Sequence, residues 1–336
     1  MSGHYLPEGY RPVLSTMDTQ QAIPLLKTTF QNLLGDRLNL LRISAPLFVS
    51  KSSGLNDDLS GRERKVSFDT KEMPDVELEV VQSLAKWKRF ALGRYGYQPG
   101  FGIYTDMNAI RRDEESDNLH SFYVDQWDWE KVITPAERNL QTLYNTVRII
   151  HACIRDTAQA LNARFTALQA EIPQEITIIS AEELQQRYPQ YTPAQREQLI
   201  AKECGAVFIA GIGKPLADGI AHDLRAPDYD DWLLNGDILY YCPMLERAVE
   251  ISSMGIRVDA DTLQSQLIMA DCLWRKELPF HRALYAGELP QTIGGGIGQS
   301  RLSMLLLKKA HIGEVQCSVW PPEVVQAFAQ AGVLLL

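Results

Sequence analysis

The chain has 336 residues, 45% hydrophobic and 22% charged, enough for a sizeable core in an ordinary globular composition. Its net charge is −9, from 33 Lys and Arg against 42 Asp and Glu, so the surface as a whole does not attract nucleic acid, although a local group of cations can still take a small anion. The opening MSGHYLPEGYRP lacks the regions of a signal peptide, and no apolar run approaches the ~18 residues that span a bilayer. Five scattered cysteines (Cys153, Cys204, Cys242, Cys272, Cys317) show no CxxC spacing, which argues against a disulfide framework or zinc site and favours a reducing cytoplasm. With no repeat and no long linker, one continuous domain over residues 1–336 is expected.

Residues 17–34 predict a first helix from Ile23, Leu26, Phe30 and Leu33/Leu34, with Gly35 as its stop and Pro24 as a kink or a later start. Leu38 to Ile43 predicts a strand ended by Ala45-Pro46. The polar segment KSSGLNDDLSGRERKVSF predicts a loop carrying Asp57 and Asp58. Glu77 to Gln82 predicts a strand, and Ser83 caps a helix that runs to Tyr95 with Gly96 behind it. On that helix Lys88 shares a stripe with Leu84, Ala91 and Tyr95, whereas Lys86 and Arg89 face outward. A lysine so placed either snorkels to water or meets a bound anion.

Gly102–Thr105 and Ser121–Val132 predict strands flanking the charged turn AIRRDEESDNLH. The second alternates: Phe122, Val124, Gln126, Asp128 and Glu130 face one way, and Tyr123, Asp125, Trp127 and Trp129 the other. Three polar residues in register at one end of a face suit the floor of a site better than a core. Thr134-Pro135-Ala136-Glu137 is a capping box that opens a long helix whose apolar stripe leaves His151 structural. A short strand at 175–179 and helices at 181–187 and 192–203 follow, without chemistry of their own.

Ala206–Ala210 predicts a buried strand, and HDLRAPDYDDWLLNGDILYY then packs Asp223, Arg225, Asp228, Asp230 and Asp231 together before a strand at Gly236–Tyr241. An arginine among so many carboxylates suggests ordered ion pairs around something, since exposed pairs alone add little stability. Ala248–Val258 is strand-like, and Asp237 and Glu250 on the two strands are expected to face each other and share a magnesium ion, a hard cation that takes oxygen ligands. Last comes QTIGGGIGQSRLSMLLL, with Gly294, Gly295, Gly296 and Gly298 before Arg301 and an apolar run. It predicts either a glycine loop that admits a phosphate or base, then a helix whose first turns carry Arg301 toward an anion, or a plain glycine loop before a buried helix with Arg301 at the surface.

Together these segments resemble a class II aminoacyl-tRNA synthetase catalytic core, an α+β fold built on an antiparallel sheet flanked by helices. Ala45-Pro46 resembles the proline of its first motif, Arg111 with Asp113 and Glu114 its second, and Gly296-Ile-Gly298-Gln-Ser-Arg301 its third. QSLAKWK and Gln126-Trp-Asp128-Trp-Glu130 are similar to stretches of the aspartyl and asparaginyl branch. VVQSLAKWKR, VDQWDWE, HDLRAPDYDDW, EISSMGIRVDADTL and PQTIGGGIGQSRL extend the resemblance over essentially the whole chain to the ammonia-dependent asparagine synthetase family, the AMP-forming aspartate–ammonia ligases.

That resemblance implies activation of aspartate by ATP as β-aspartyl-AMP, followed by attack of ammonia, with Mg2+ on Asp237 and Glu250. It implies ATP contacts from Arg111, Glu114, Ser253, Gly296 and Arg301. Lys88, Arg225 and Arg257 are then candidates for the substrate carboxylates, and Gln126 and Asp128 for its ammonium group. Which arginine takes which carboxylate stays open. It further implies a homodimer in the cytoplasm, with no nucleic-acid or membrane partner. The nitrogen source follows from the residues: a glutamine-using enzyme needs a nucleophilic cysteine at its mature N-terminus or in a tight elbow. Residue 2 is Ser2, and none of the five cysteines lies in a tight Gly-flanked turn, so free ammonia is expected. Ammonium must lose a proton before attack; Asp57, Asp128 and Asp230 are the candidate bases, with Asp57 or Asp230 preferred.

Overall fold

The computed structural model describes residues 3–57, 59 and 63–336; Ser2 and Asp58 lie outside these. Helix α1, Thr16–Leu38, is capped by Ser15, whose hydroxyl accepts from the Asp18 N–H at 3.1 Å. It runs through Pro24 and past the expected stop at Gly35. Gly35 serves a close approach instead: a Cβ there would lie 3.3 Å from the Leu40 carbonyl oxygen. The helix ends at Asn39, which takes the left-handed conformation (φ 60°).

Strand β1, Leu40–Arg42, leads into three short antiparallel strands, β2 (Phe48–Ser50), β3 (Ser67–Phe68) and β4 (Leu78–Val80), which form a separate sheet in the order β2-β4-β3. Helix α2, Ala85–Tyr95, follows and stops at Gly96 (φ 70°). Ser83 is not its N-cap: that position is Leu84, and the Ser83 hydroxyl accepts from the Ala85 N–H at 3.2 Å. Lys86 and Arg89 are buried, against expectation. The reason is that the segment from Asp228 to Pro290 covers this helix: Lys86 lies 3.6 Å from Asp228, and Arg89 donates to the carbonyls of Val258 and Pro290 at 2.7 and 2.9 Å.

Then come β5 (Gly102–Ile110), β6 (Tyr123–Val132), α3 (Leu140–Arg164), β7 (Thr177–Ser180), α4 (Ala181–Arg187), α5 (Pro193–Cys204), β8 (Ala206–Ala210), β9 (Asp230–Cys242) and β10 (Arg247–Arg257). The Thr134 capping box forms as written but closes a single 3-10 turn; α3 starts later, at Asn139, whose side chain caps Thr142. His151 is structural, paired with the Tyr240 hydroxyl at 2.7 Å and the Pro173 carbonyl at 3.0 Å. Helices α6 (Ala260–Met269) and α7 (Pro279–Tyr285) precede β11 (Thr292–Gly298), α8 (Gln299–Leu306) and α9 (Pro322–Gln330).

The main sheet has eight strands in the order β1-β5-β6-β11-β10-β9-β8-β7. Its inner pairings from β5 through to β8 are antiparallel, and β1 and β7 close the two edges in parallel. One face is apolar. There Trp127, Trp129, Met254, Ile256, Ile293 and Ile297 pack under α1, α3 and α8, with Phe30 and Trp127 ring centroids 4.6 Å apart. Each such side chain contributes about 1.5–3 kcal/mol on burial. The other face is covered by apolar clusters at its ends, around Val207, Ile209 and Leu239 and around Ile103 and Val132, and its middle is left to polar groups. Among the described residues, no helix is long and apolar enough to cross a membrane.

Candidate active site

The glycine run is a strand, not a loop. In β11, Gly294, Gly296 and Gly298 pair with Glu130, Asp128 and Gln126 of β6, so the glycines lie under the polar face that the alternation of β6 predicts. A Cβ on Gly294 would sit 2.0 Å from Glu130 Oε2, and one on Gly296 2.3 Å from Gln126 Oε1. The glycines therefore make room for the neighbouring strand's functional groups. The expectation for the following helix holds: α8 begins at Gln299, and Arg301 stands on its first turn.

On the same face, β10 adds Ser253 opposite Asp237 of β9. Strict alternation would send Glu250 to the opposite face from Ser253. A bulge between Glu250 and Ser252 restores it, pairing Glu250 with Leu239 so that it joins Asp237 and Ser253 above the floor. Asp237 and Glu250 are thus neighbours on one face, though not directly opposed.

Above this floor lies a cavity of about 440 Å³. Of the residues expected at the site, Asp57, Lys88, Arg111, Glu114, Gln126, Asp128, Arg225, Asp230, Glu250, Ser253, Arg257, Gly296 and Arg301 line it. Asp237 does not; it stands behind Arg225, which bonds it and also donates to the Ser253 hydroxyl at 2.9 Å. Nine carboxylates and five Lys and Arg side chains are in the described walls. None of the five cysteines, all of them free thiols, is among them.

Lys88 is fully inside. Its ammonium bonds Asp128, the Trp129 carbonyl (2.9 Å) and the Gly295 carbonyl (3.2 Å), which uses all three of its N–H donors. It meets no solvent and leaves no donor over for a substrate carboxylate, so its visible work is to hold Asp128, whose second oxygen accepts from the Leu84 N–H at 3.3 Å. Deeper, Arg257 forks onto Glu130 at 2.9 and 2.7 Å and also bonds Asp230, while Thr292 donates to Glu130 at 2.7 Å. Burial raises the Glu130 carboxyl, but Arg257 outweighs it and the net direction is down. At Asp230 burial wins, and the carboxyl rises despite Arg257.

Toward the opening, Arg301 donates to the Glu250 carbonyl at 3.1 Å and to the Leu119 carbonyl at 3.4 Å, with the Glu250 carboxylate 3.6 Å away. Burial raises the Glu250 carboxyl, yet Arg301, Arg225 and Arg111 together hold it below its ordinary value. Arg111 follows β5 at the turn, 4.0 Å from Glu114, and its Nε has no hydrogen-bond partner. Asp113, also in the cavity wall, pairs with Arg64, which brings its carboxyl down to about 2. Asp57 is buried, with its N–H on the Asn56 side chain at 3.0 Å. Burial first, then Asp57 and Asp230, push the Tyr229 phenol well up.

The acidic run 223–231 fans out rather than surrounding one point. Asp228 goes to Lys86, Arg275 and His281, Asp230 to Arg257, and Asp231 to Arg138. Sequence reasoning missed Tyr229, Leu119, Ser300 and Gln316, which also line the cavity. Ser300 and Gln316 are bound to Asp125 at 3.0 and 3.4 Å. Asp125, the one carboxylate on the tryptophan face of β6, was the signal that something polar lay across from it.

A family model described as aspartate-ammonia ligase matches residues 17–332. An aspartate–ammonia ligase of Clostridium perfringens is 56% identical over 332 residues, 99% of each chain. One from Lactobacillus johnsonii is 55% identical over 332 residues, 98% of this chain and 99% of that one. Among solved structures, asparaginyl-tRNA synthetase from Pyrococcus horikoshii, complexed with asparaginyl-adenylate, superposes with a TM-score of 0.65 at 15% identity, over 90% of this chain and 70% of that one. The Entamoeba histolytica enzyme in the same kind of complex gives 0.63 at 15% identity, with 90% of this chain matching 66% of that one. The latter two establish a shared class II synthetase fold.

Proposed function

The chain belongs to the aspartate–ammonia ligase family, and from that premise we propose how its cleft makes asparagine from aspartate, ammonia and ATP. The aspartate side-chain carboxylate attacks the α-phosphorus of ATP and pyrophosphate leaves. Ammonia then attacks the carbonyl of β-aspartyl-AMP, and AMP leaves. The observation that carries the assignment of parts is the one-sided floor: Gln126, Asp128, Glu250, Ser253 and Arg257 open on one cavity with Arg111, Arg225 and Arg301 around it.

Charge gathers on phosphate oxygens in the first step, so groups fixed beforehand around the phosphates do most of the work. Arg111, with its unpartnered Nε, takes the α-phosphate, and Arg301 the γ-phosphate, with Glu114, Ser253 and Gly296 completing the nucleotide contacts. Arg225 and Arg257 hold aspartate's carboxylates, Gln126 and Asp128 its ammonium group. Lys88 serves this end of the site through Asp128. Magnesium fits Asp237 and Glu250 only with Arg225, which stands between Asp237 and the cavity, moved aside. Asp237 Oδ1 is a buried oxygen with no hydrogen-bond partner, and the Glu250 side chain, 42% accessible, lies on the same face. Those two carboxylates would hold the ion beside the nucleotide, where it would neutralise phosphate charge.

For the second step a carboxylate must draw in ammonium and take its proton. Asp57 and Asp230 both line the cavity as buried carboxylates, and Asp57 is the one we assign to this task. Asp57→Asn is expected to leave aspartate-dependent ATP–pyrophosphate exchange within about threefold of wild type while slowing amide formation ~10²-fold or more. Loss of both activities would move Asp57 to the aspartate site. The overall reading is tested by incubating the protein with ATP, aspartate and ammonium and measuring AMP and asparagine; equal turnover with glutamine would sink the choice of nitrogen donor. One domain over 1–336, acting as a homodimer in the cytoplasm on small molecules only, completes the proposal. It is supported by the five free thiols and by the likeness of Ala45-Pro46 to the class II first motif.

A further inference from the structure

We propose that Asn118 is a positioning residue for the nucleotide half of the cleft, tying the turn after β5 to the segment around His4 and Tyr5. The inference rests on the reading that Arg111 and Arg301 hold ATP. Asn118 lies in the β5–β6 turn that also carries Arg111 and Glu114, and it is wholly buried. Its side-chain oxygen accepts from the Tyr5 N–H at 2.8 Å. Its amide donates both hydrogens, to the carbonyls of Tyr5 and Ala310, each at 2.7 Å. Its own carbonyl accepts from the Ile312 N–H at 2.8 Å. One side chain thus copies a backbone ladder on Tyr5 and joins three separate stretches of chain.

The next residue shows what this holds in place. The Leu119 carbonyl receives the Arg301 Nε–H at 3.4 Å, and Leu119 and Ile312 are both walls of the cavity. The turn's other internal bonds do not anchor it to these segments. Asp117 accepts from the N–H groups of Leu119 and His120 at 2.6 and 2.7 Å, which shapes the turn on itself. A second tie runs in parallel: His4 joins Ser116 at 3.1 Å and His311 at 2.9 Å. His311 accepts the Gly313 N–H at its Nδ1 (3.0 Å), so its Nε2 carries the proton given to His4, and His4 in turn donates to Ser116. Loosening this seam lets the Leu119 carbonyl and the Arg111 end of the turn drift relative to Arg301. The aspartate end, fixed on β6, β10 and β11, keeps its geometry.

The test is aspartate-dependent ATP–pyrophosphate exchange, titrated separately in ATP and in aspartate, on Asn118→Ala, Asn118→Asp and His4→Ala, with thermal melts alongside. The KM for ATP is expected to rise about tenfold in Asn118→Ala and Asn118→Asp and about threefold in His4→Ala, with the KM for aspartate within about twofold of wild type. Folded Asn118 variants with an unchanged KM for ATP, or with both KM values raised alike, would overturn the proposal. Should the Asn118 variants not fold, His4→Ala, at the edge of the molecule, decides by the same split. Arg301→Ala run in parallel separates the two levels. If it keeps normal exchange, the nucleotide reading fails and this inference with it; if it loses exchange while the Asn118 variants keep their KM for ATP, this inference alone fails.

Discussion

Arg301→Ala is expected to cut aspartate-dependent ATP–pyrophosphate exchange by ~10²–10³-fold, the usual cost of removing one preorganised donor from a developing phosphate charge. Its fold should survive. The side chain is about one-fifth accessible and bonds two backbone carbonyls at the cleft edge, so truncation leaves no deeply buried group orphaned. Lysine is a poor substitute, because a single ammonium cannot span the Glu250 and Leu119 carbonyls and a phosphate as a planar fork does. Arg301→Lys should therefore recover only part of the exchange. A folded Arg301→Ala protein with near-normal exchange would remove this arginine from the reaction.

Gly294→Ala should damage stability far more than its single methyl suggests. The new Cβ would fall 2.0 Å from Glu130 Oε2 and 2.6 Å from Arg257 Nη2, and all of these groups are buried. Glu130 cannot yield without breaking its fork on Arg257 and leaving that guanidinium, and Lys88 at 3.6 Å, short of a counter-charge. Breaking a buried ion pair in this way costs about 3–5 kcal/mol, which a denaturant titration resolves easily. Gly298→Ala is the control: its Cβ would meet nothing closer than the Arg301 Cβ at 3.4 Å, an ordinary contact. A midpoint for Gly294→Ala within error of wild type would mean that the Glu130–Arg257 fork is far more yielding than its geometry.

The polar face of β6 was legible because Gln126, Asp128 and Glu130 alternate with two tryptophans, and period-two patterning survives any context. Arg301 and Lys88 were legible for similar reasons, one beside glycines and the other on an apolar stripe. The glycine strand was not. Glycine has no strand propensity of its own, and what favours it at 294 and 296 is the bulk of side chains on a strand more than 160 residues away in sequence. The bulge at Glu250 was equally hidden, since counting by twos puts Glu250 and Ser253 on opposite faces. Lys86 and Arg89 read as solvated because charge usually is; their burial depends on carbonyls and a carboxylate supplied by residues 228–290. Asn118 offered no pattern at all, because its partners are backbone groups.

The surplus of carboxylates in the cavity wall has a consequence for traffic. A pocket whose lining is net negative, inside a chain of charge −9, repels bare polyphosphate and gathers small cations by the same field. On the proposed reading of the site, ATP would then enter most readily as a chelate that has already shed part of its charge. On the same reading, ammonium, the abundant form of the second nucleophile's source, would be concentrated at the mouth before any base acts on it. The wall works as an ion exchanger as well as a binding surface, and added salt should weaken that enrichment for the free ion first.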